Sequence, residues 1–242
     1  MTATLRLLGY ETADGARNMA ADEALLFHAE AGVASLRFYG WSPPTLSLGY
    51  FQPAAARLGD DRLARLPWVR RATGGATLIH DSELTYALAL PAGLPWQTGQ
   101  PWMPRFHEIL KAALASLGAD VALAPRNDVR GDVLCFQKHT IGDLICRDFK
   151  IGGSAQRKHR RSLLQHGSIL LRQSSAAPAL PGIFELTGVD IAPALLRDAI
   201  IQHFVAATGW RLESAVWTDD DVRLIENLTR EKFSSASWND KR

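Results

Sequence analysis

Apolar positions along the chain switch between a helical period and a period of two, and the switches lay out the elements. Met19, Leu25 and Leu26 lie among alanines at helical spacing, with Asp22 and Glu23 early, Asn18 as the expected cap and Gly32 at the stop. Residues 36–39 alternate and carry aromatics, which predicts a strand. Trp41-Ser42-Pro43-Pro44 is a turn, residues 45–49 a second strand, and residues 62–66 a short helix before Pro67. Strands over 68–71 and 77–79 flank Thr73-Gly74-Gly75, and a longer one covers 84–90. Residues 91–103, with Pro91, Gly93, Pro95, Gly99 and Pro101, predict a long irregular loop. A helix then starts near Pro104, presents Phe106, Ile109, Leu110, Ala113, Leu114 and Leu117 on one face, and ends at Gly118.

Short strands follow over 121–123, 144–146, 150–154 and 163–171. Ser174-Ser175-Ala176-Ala177-Pro178 has the composition of a linker. Two helices come after it, the first carrying Leu195, Leu196, Ala199, Ile200, Phe204 and Val205, the second capped by Thr218 with Asp221. Many strands first and helices clustered late predict an α+β (mixed α/β) fold: a central, mostly antiparallel or mixed sheet flanked by helices, packed on one face. The expected organisation is a single domain over residues 1–242, helical from about 190. No early strand opens into a Gly-x-Gly-x-x-Gly helix, which argues against a dinucleotide fold.

Composition narrows the function classes. With 47% hydrophobic and 21% charged residues the chain is an ordinary globular protein, and a net charge of +2 does not mark a nucleic-acid binder. No signal-like N-terminus or membrane-length apolar run is present, and the two cysteines, Cys135 and Cys146, form neither a disulfide framework nor a zinc spacing. A cytoplasmic, reducing setting is expected, without a membrane or metal. Cys146, within Leu144-Ile145-Cys146, has core neighbours. Cys135 has Leu134 and Phe136 beside it but Lys138 and His139 close by, so filler and nucleophile are equally open readings.

Four further groups carry candidate chemistry. In Arg70-Arg71-Ala72-Thr73-Gly74-Gly75, paired glycines let backbone N–H groups approach a ligand and arginine supplies a cationic fork; His80-Asp81 follows. The plain alternative is a hairpin turn. Lys150 precedes Ile151-Gly152-Gly153-Ser154, either as a solvated strand-edge residue or as an ammonium facing a phosphate or oxyanion. His166, before Gly167, reads equally as a satisfied core histidine or a site group. Arg157-Lys158-His159-Arg160-Arg161 joins two strands, as a solvated tip or as a patch that steers an acidic partner.

Asn18-Met19-Ala20-x-Asp22-Glu23-Ala24-Leu25, Arg70-Arg71-x-Thr73-Gly74-Gly75, His80-Asp81-x-Glu83-Leu84-Thr85-Tyr86, Lys150-Ile151-x-Gly153-Ser154-Ala155-Gln156 and Leu164-Gln165-His166-Gly167-Ser168 occur in order over roughly residues 15–172. Together they resemble the lipoate–protein ligase/octanoyltransferase family, related to biotin–protein ligases. Cys135-Phe136 ahead of the Lys150 strand, with His80-Asp81-x-Glu83-Leu84-Thr85-Tyr86, looks most like the cysteine-dependent octanoyltransferase branch. The resemblance implies Cys135 as nucleophile and Lys150 as its cation. It implies an acyl site built from Arg71, Thr73, Gly74, Gly75, His80, Gly153, Ser154, Ala155, His166 and Gly167, while Arg157, Lys158, Arg160 and Arg161 are expected, from their charge, to dock the partner. The donor would be an octanoyl acyl carrier protein, and the acceptor a lysine of a lipoyl domain or the glycine-cleavage H protein, with no cofactor. An ATP- and Mg-dependent lipoate or biotin ligase using an acyl-adenylate, or a non-catalytic acyl-binding protein, are the alternatives.

Overall fold

The computed structural model describes residues 3–93, 101–128 and 134–242. Its first elements are β1 (Thr4–Leu8), β2 (Glu11–Ala13), α1 (Gly15–Glu30), β3 (Ser35–Trp41), β4 (Thr45–Leu48) and α2 (Asp61–Ala64). Then come β5 (Trp68–Arg70), β6 (Leu78–His80), β7 (Glu83–Pro91), α3 (Trp102–Ser116), β8 (Ala122–Leu123), β9 (Leu144–Cys146), β10 (Phe149–His159) and β11 (Ser162–Leu170). The chain closes with α4 (Ile183–Thr187), α5 (Pro193–Thr208), β12 (Arg211–Ala215), α6 (Asp219–Leu228) and α7 (Ala236–Asn239). Most of the expected 91–103 loop lies outside the described residues.

Among the described residues a nine-stranded mixed sheet runs β12-β1-β3-β7-β11-β10-β9-β8, with β2 paired to β3, and a second sheet runs β5-β4-β6. Its central β3-β7-β11-β10 pairings are antiparallel, whereas β1 runs parallel to β3 and β12. Helices cover both faces of the large sheet, not one. Leu84, Tyr86, Leu88 and Leu90 of β7 join the cluster that holds Phe106, Ile109 and Leu110 of α3 with Ile200 and Phe204 of α5. Ala87 and Ala89 turn the other way, onto Met19, Ala24 and Leu25 of α1 and Ile225 of α6. Small residues on this second face let α1 approach closely; the pleat assigns alternate residues to opposite helical layers.

Three other expectations need revision. The cap of α1 is Asp14, whose carboxylate accepts from the Arg17 N–H at 2.9 Å. Asn18 lies one turn inside, donating its amide to Ala13 O and Gly40 O while its Oδ1 accepts from Arg37. A buried amide bolts helix to sheet at the place where the sequence offers a second residue of capping type. Ser174–Pro178 is no free linker: Ala177 is buried with Leu46, Leu48, Ile79 and Phe136 in a third cluster over the small sheet. The segment after 190 includes a strand, β12, beside β1. No helix among the described residues is long and apolar enough to cross a membrane.

Candidate active site

A cavity lies on the α1 face of β10 and β11, bordered by Gly74 and Gly75 of the glycine turn, by Leu78 and His80 of β6 and by the short 3-10 turn that begins at Cys135. Its walls include Met19, Tyr39, Trp41, Leu78 and Phe136, together with Cys135 and Lys150. An apolar surround with few polar groups suits an acyl chain.

Cys135 is held by its backbone. Its N–H donates to Thr77 O at 2.7 Å, Leu134 bridges to Thr77, and Phe136 anchors the turn in the third cluster. Lys150 reaches it from the edge of β10, where pairing with β9 is irregular between Lys150 and Gly152. The ammonium Nζ lies 3.6 Å from Cys135 Sγ and 2.8 Å from Asp143 Oδ2, with the Phe136 ring 5.4 Å away. Lys150 and Asp143 are both nearly buried. Cys146, in contrast, is a core residue whose thiol pKa is raised by burial.

Gly153 has a specific reason to be glycine. A Cβ there would stand 2.6 Å from Lys150 Cε and 2.9 Å from both Lys150 Nζ and Asp143 Oδ1. The space it leaves therefore holds the lysine–aspartate pair, rather than only a ligand. Gly75 adopts φ +95°, and Gly49 lets the Gly75 carbonyl approach to where its own Cβ would be, so the turn packs onto β4.

Arg71 is buried and organises this turn. It donates to Ser47 O at 2.8 Å, Ser47 Oγ at 2.6 Å, Gly74 O at 3.1 Å and Ala76 O at 3.0 Å. Burial lowers its pKa to about 10, partly countered by Cys135. The expected ligand fork is largely occupied in shaping the loop. Ser47, accepting a hydrogen bond from Arg71, is free to donate its hydroxyl hydrogen to His80 Nε2 at 2.6 Å, which leaves His80 Nδ1–H for Glu83 Oε1 at 2.6 Å. Trp41 stacks on His80 at 3.8 Å. Burial lowers the His80 pKa more than Glu83 raises it, which favours the neutral ring.

His166 is both a satisfied histidine and a cavity wall: Nδ1 lies 2.7 Å from Asp22 Oδ2 and Nε2 lies 2.6 Å from Thr73 Oγ1. Thr73 stands behind His166 and does not line the cavity. Gly74, Ala155 and Gly167 do line it. Ser154 contributes only backbone, because its hydroxyl points to the opposite face, between Tyr86 OH and His107 Nε2 at 2.6 Å. Gly167 is glycine because a Cβ would meet Gly153 O and Ser154 Oγ at 2.5 Å and the Tyr86 ring at 2.8 Å.

The basic run is divided. Arg157 pairs with Glu23 and lines a cleft with Phe51 and Gly74 beside the cavity, while His159 and Arg160 pair with Glu30. Lys158, Arg160 and Arg161 line a separate groove with Trp102. Sequence reasoning missed Asp143, Asp22 and Ser47 as site partners. Glu83 lies inside a quoted motif and its spacing to His80, three residues, was the available signal; Asp143 offered none.

A mixed sheet with helices on both faces surrounds an apolar cavity that holds a lysine-paired thiol, an arrangement of the class suited to acyl attachment. A T. acidophilum protein assigned as a candidate lipoate protein ligase, solved with bound lipoic acid, superposes with a TM-score of 0.81 at 23% identity, covering 100% of both chains. A lipoate-protein ligase A solved with ATP superposes with a TM-score of 0.80 at 23% identity, over 99% of this chain and 98% of that one. Both likenesses establish the fold alone. Residues 14–179 match the lipoyl protein ligase A/B catalytic domain, and the chain belongs to that family. It is 32% identical over 261 residues to the octanoyltransferase LipM of Anoxybacillus flavithermus, covering 93% of this chain and 94% of that relative. The family resemblance read from the motifs is borne out.

Proposed function

We propose that this protein is an octanoyltransferase of lipoate assembly, acting as a single catalytic domain in the cytoplasm. The observation that carries the reading is the 3.6 Å separation of Lys150 Nζ and Cys135 Sγ in an apolar cavity. A neighbouring cation favours thiolate over thiol, and the thiolate is the nucleophile. Similarity to curated octanoyltransferases supports the same chemistry.

In this reading Cys135 attacks the carbonyl of an octanoyl thioester on acyl carrier protein. A new carbon–sulfur bond forms as the donor's carbon–sulfur bond breaks. The amine of a lysine on a lipoyl domain or glycine-cleavage H protein then attacks the Cys135 thioester, forming an amide and releasing the sulfur. The donor arrives activated, so neither ATP nor Mg is required. Backbone groups around Gly74, Gly75, Gly153, Ala155 and Gly167 border the chain, and His80 and His166, each locked by a carboxylate, keep the wall rigid. Arg157, Lys158, Arg160 and Arg161 offer the cationic surface for acidic carriers.

The test is transfer from octanoyl carrier protein to a purified lipoyl domain without nucleotide. The reading requires full turnover without ATP. Turnover only with ATP and free octanoate or lipoate would replace it with the ligase, and acyl binding without transfer to any acceptor would replace it with a binding protein.

A further inference from the structure

Lys150 has two close partners, a carboxylate and a sulfur, and the carboxylate is the nearer: 2.8 Å to Asp143 Oδ2 against 3.6 Å to Cys135 Sγ. Asp143 is also fixed far more firmly than a charge partner needs to be. Its Oδ2 accepts from Thr140 N at 2.7 Å and Thr140 Oγ1 at 3.0 Å, and its backbone carbonyl accepts from Ala124 N at 2.8 Å. The preceding residue, Gly142 at φ +87°, is clamped by His107 of α3, whose Nδ1 donates to its carbonyl. A buried chain supports that clamp: Gln165 donates to Tyr86, Tyr86 to Ser154, and Ser154 to His107 Nε2. Absence of a side chain at Gly153 then opens the volume that the pair occupies.

We infer that Asp143 is a positioning residue for the transfer, holding Lys150 as an ammonium aimed at the sulfur so that the amine lends a proton and recovers it within one turnover. This inference rests on the octanoyl-transfer reading. In the first half-reaction the donor thiolate leaves and takes a proton from Lys150, leaving a neutral amine that donates a hydrogen bond to Asp143. In the second, the acceptor amine, which shed its extra proton to solvent beforehand, attacks the Cys135 thioester. The proton released from its nitrogen returns to Lys150, and Cys135 leaves as thiolate. Protons balance with no further reactant. Asp143 sets the geometry of this exchange, because its carboxylate, fixed by Thr140, holds the amine within reach of the sulfur.

Asp143→Asn separates this role from simple support of the turn, since Asn Oδ1 can still accept from Thr140. Two readouts separate. The KM for octanoyl carrier protein stays within about twofold, because Asp143 does not line the cavity. Octanoyl transfer falls tenfold or more, on the order expected for proton transfer by a positioned group. In a Lys150→Met background the same change alters transfer less than about twofold, because interacting residues are non-additive. An equal loss in both backgrounds, a KM that rises with the loss, or a lowered melting temperature in proportion to the lost activity would overturn the inference. Transfer by the unaltered protein is measured alongside: its absence would sink the octanoyl-transfer reading itself, whereas unchanged transfer in a folded Asp143→Asn protein would sink this inference alone.

Discussion

Gly153→Ala places one methyl group against the lysine of the proposed dyad. The added Cβ would lie 2.6 Å from Lys150 Cε and 2.9 Å from Nζ, against an optimal separation of about 3.5–4.0 Å, so the lysine must retreat by about 1 Å. Its flexible stem can do so, but Asp143 Oδ1, 2.9 Å from the same Cβ, is tied by Thr140, which puts the folding cost within the roughly 1–3 kcal/mol typical of overpacking. Catalysis should suffer more, since a displacement of about 1 Å can cost about 100-fold, or about 2.7 kcal/mol of barrier. Gly152→Ala is the control. Its Cβ would meet Leu144 side-chain atoms and Ser168 O at 3.2–3.4 Å, away from the ammonium. Urea denaturation and initial rates of octanoyl transfer should therefore diverge for Gly153→Ala: modest destabilisation with a large loss of turnover. Wild-type turnover in a folded Gly153→Ala protein would rule out dependence on the position of Lys150, as would an equal activity loss in Gly152→Ala.

Three more outcomes follow from the geometry. Ser154→Ala should cost about 1–3 kcal/mol of stability by orphaning His107 Nε2 and Tyr86 OH, with KM for the octanoyl donor unchanged; a raised KM at unchanged stability would place that hydroxyl in the acyl site instead. Burial lowers the pKa of His80 and of His107, so the unfolded chain binds more protons once pH drops below about 6.5, and stability falls from there downward by up to about 1.4 kcal/mol per unit of depression. Urea midpoints at neutral and mildly acidic pH measure this, and His107→Gln should flatten the dependence; a midpoint that rises on acidification would contradict it. Reversing Arg160 and Arg161 to glutamate should slow transfer from octanoyl carrier protein more than from a small octanoyl thioester, and equal loss with both donors would exclude a docking role.

Much of this arrangement was readable from residue order, and the gaps have physical causes. Helix α3 and strands β3, β4, β7 and β9 announced themselves through periodicity and turn residues. The pairing of Cys135 with Lys150 came from motif resemblance, because fifteen residues of separation say nothing about proximity until β10 and the 3-10 turn are both placed. The unbroken run Leu84-Thr85-Tyr86-Ala87-Leu88-Ala89-Leu90 already carried the sign of burial on both faces, yet the two helical layers emerge only when register sends Tyr86 to α3 and Ala87 to α1. Ser154 shows the same limit: pleat parity is fixed by sequence, but which parity faces the cavity is set by β11 and β7. Asp143, a single acid after Gly142 in a turn, had no spacing that pointed to Lys150. Arg71 was legible as important, though its guanidinium turned out to be bonded mainly to its own loop.

The proposed Cys135 thioester is a covalent adduct, and intact mass spectrometry detects it. After mixing with octanoyl carrier protein and no acceptor, the protein should gain one octanoyl group, mapped to Cys135, absent in Cys135→Ala and lost when a lipoyl domain is added. No adduct, or an adduct that persists in Cys135→Ala, would contradict it.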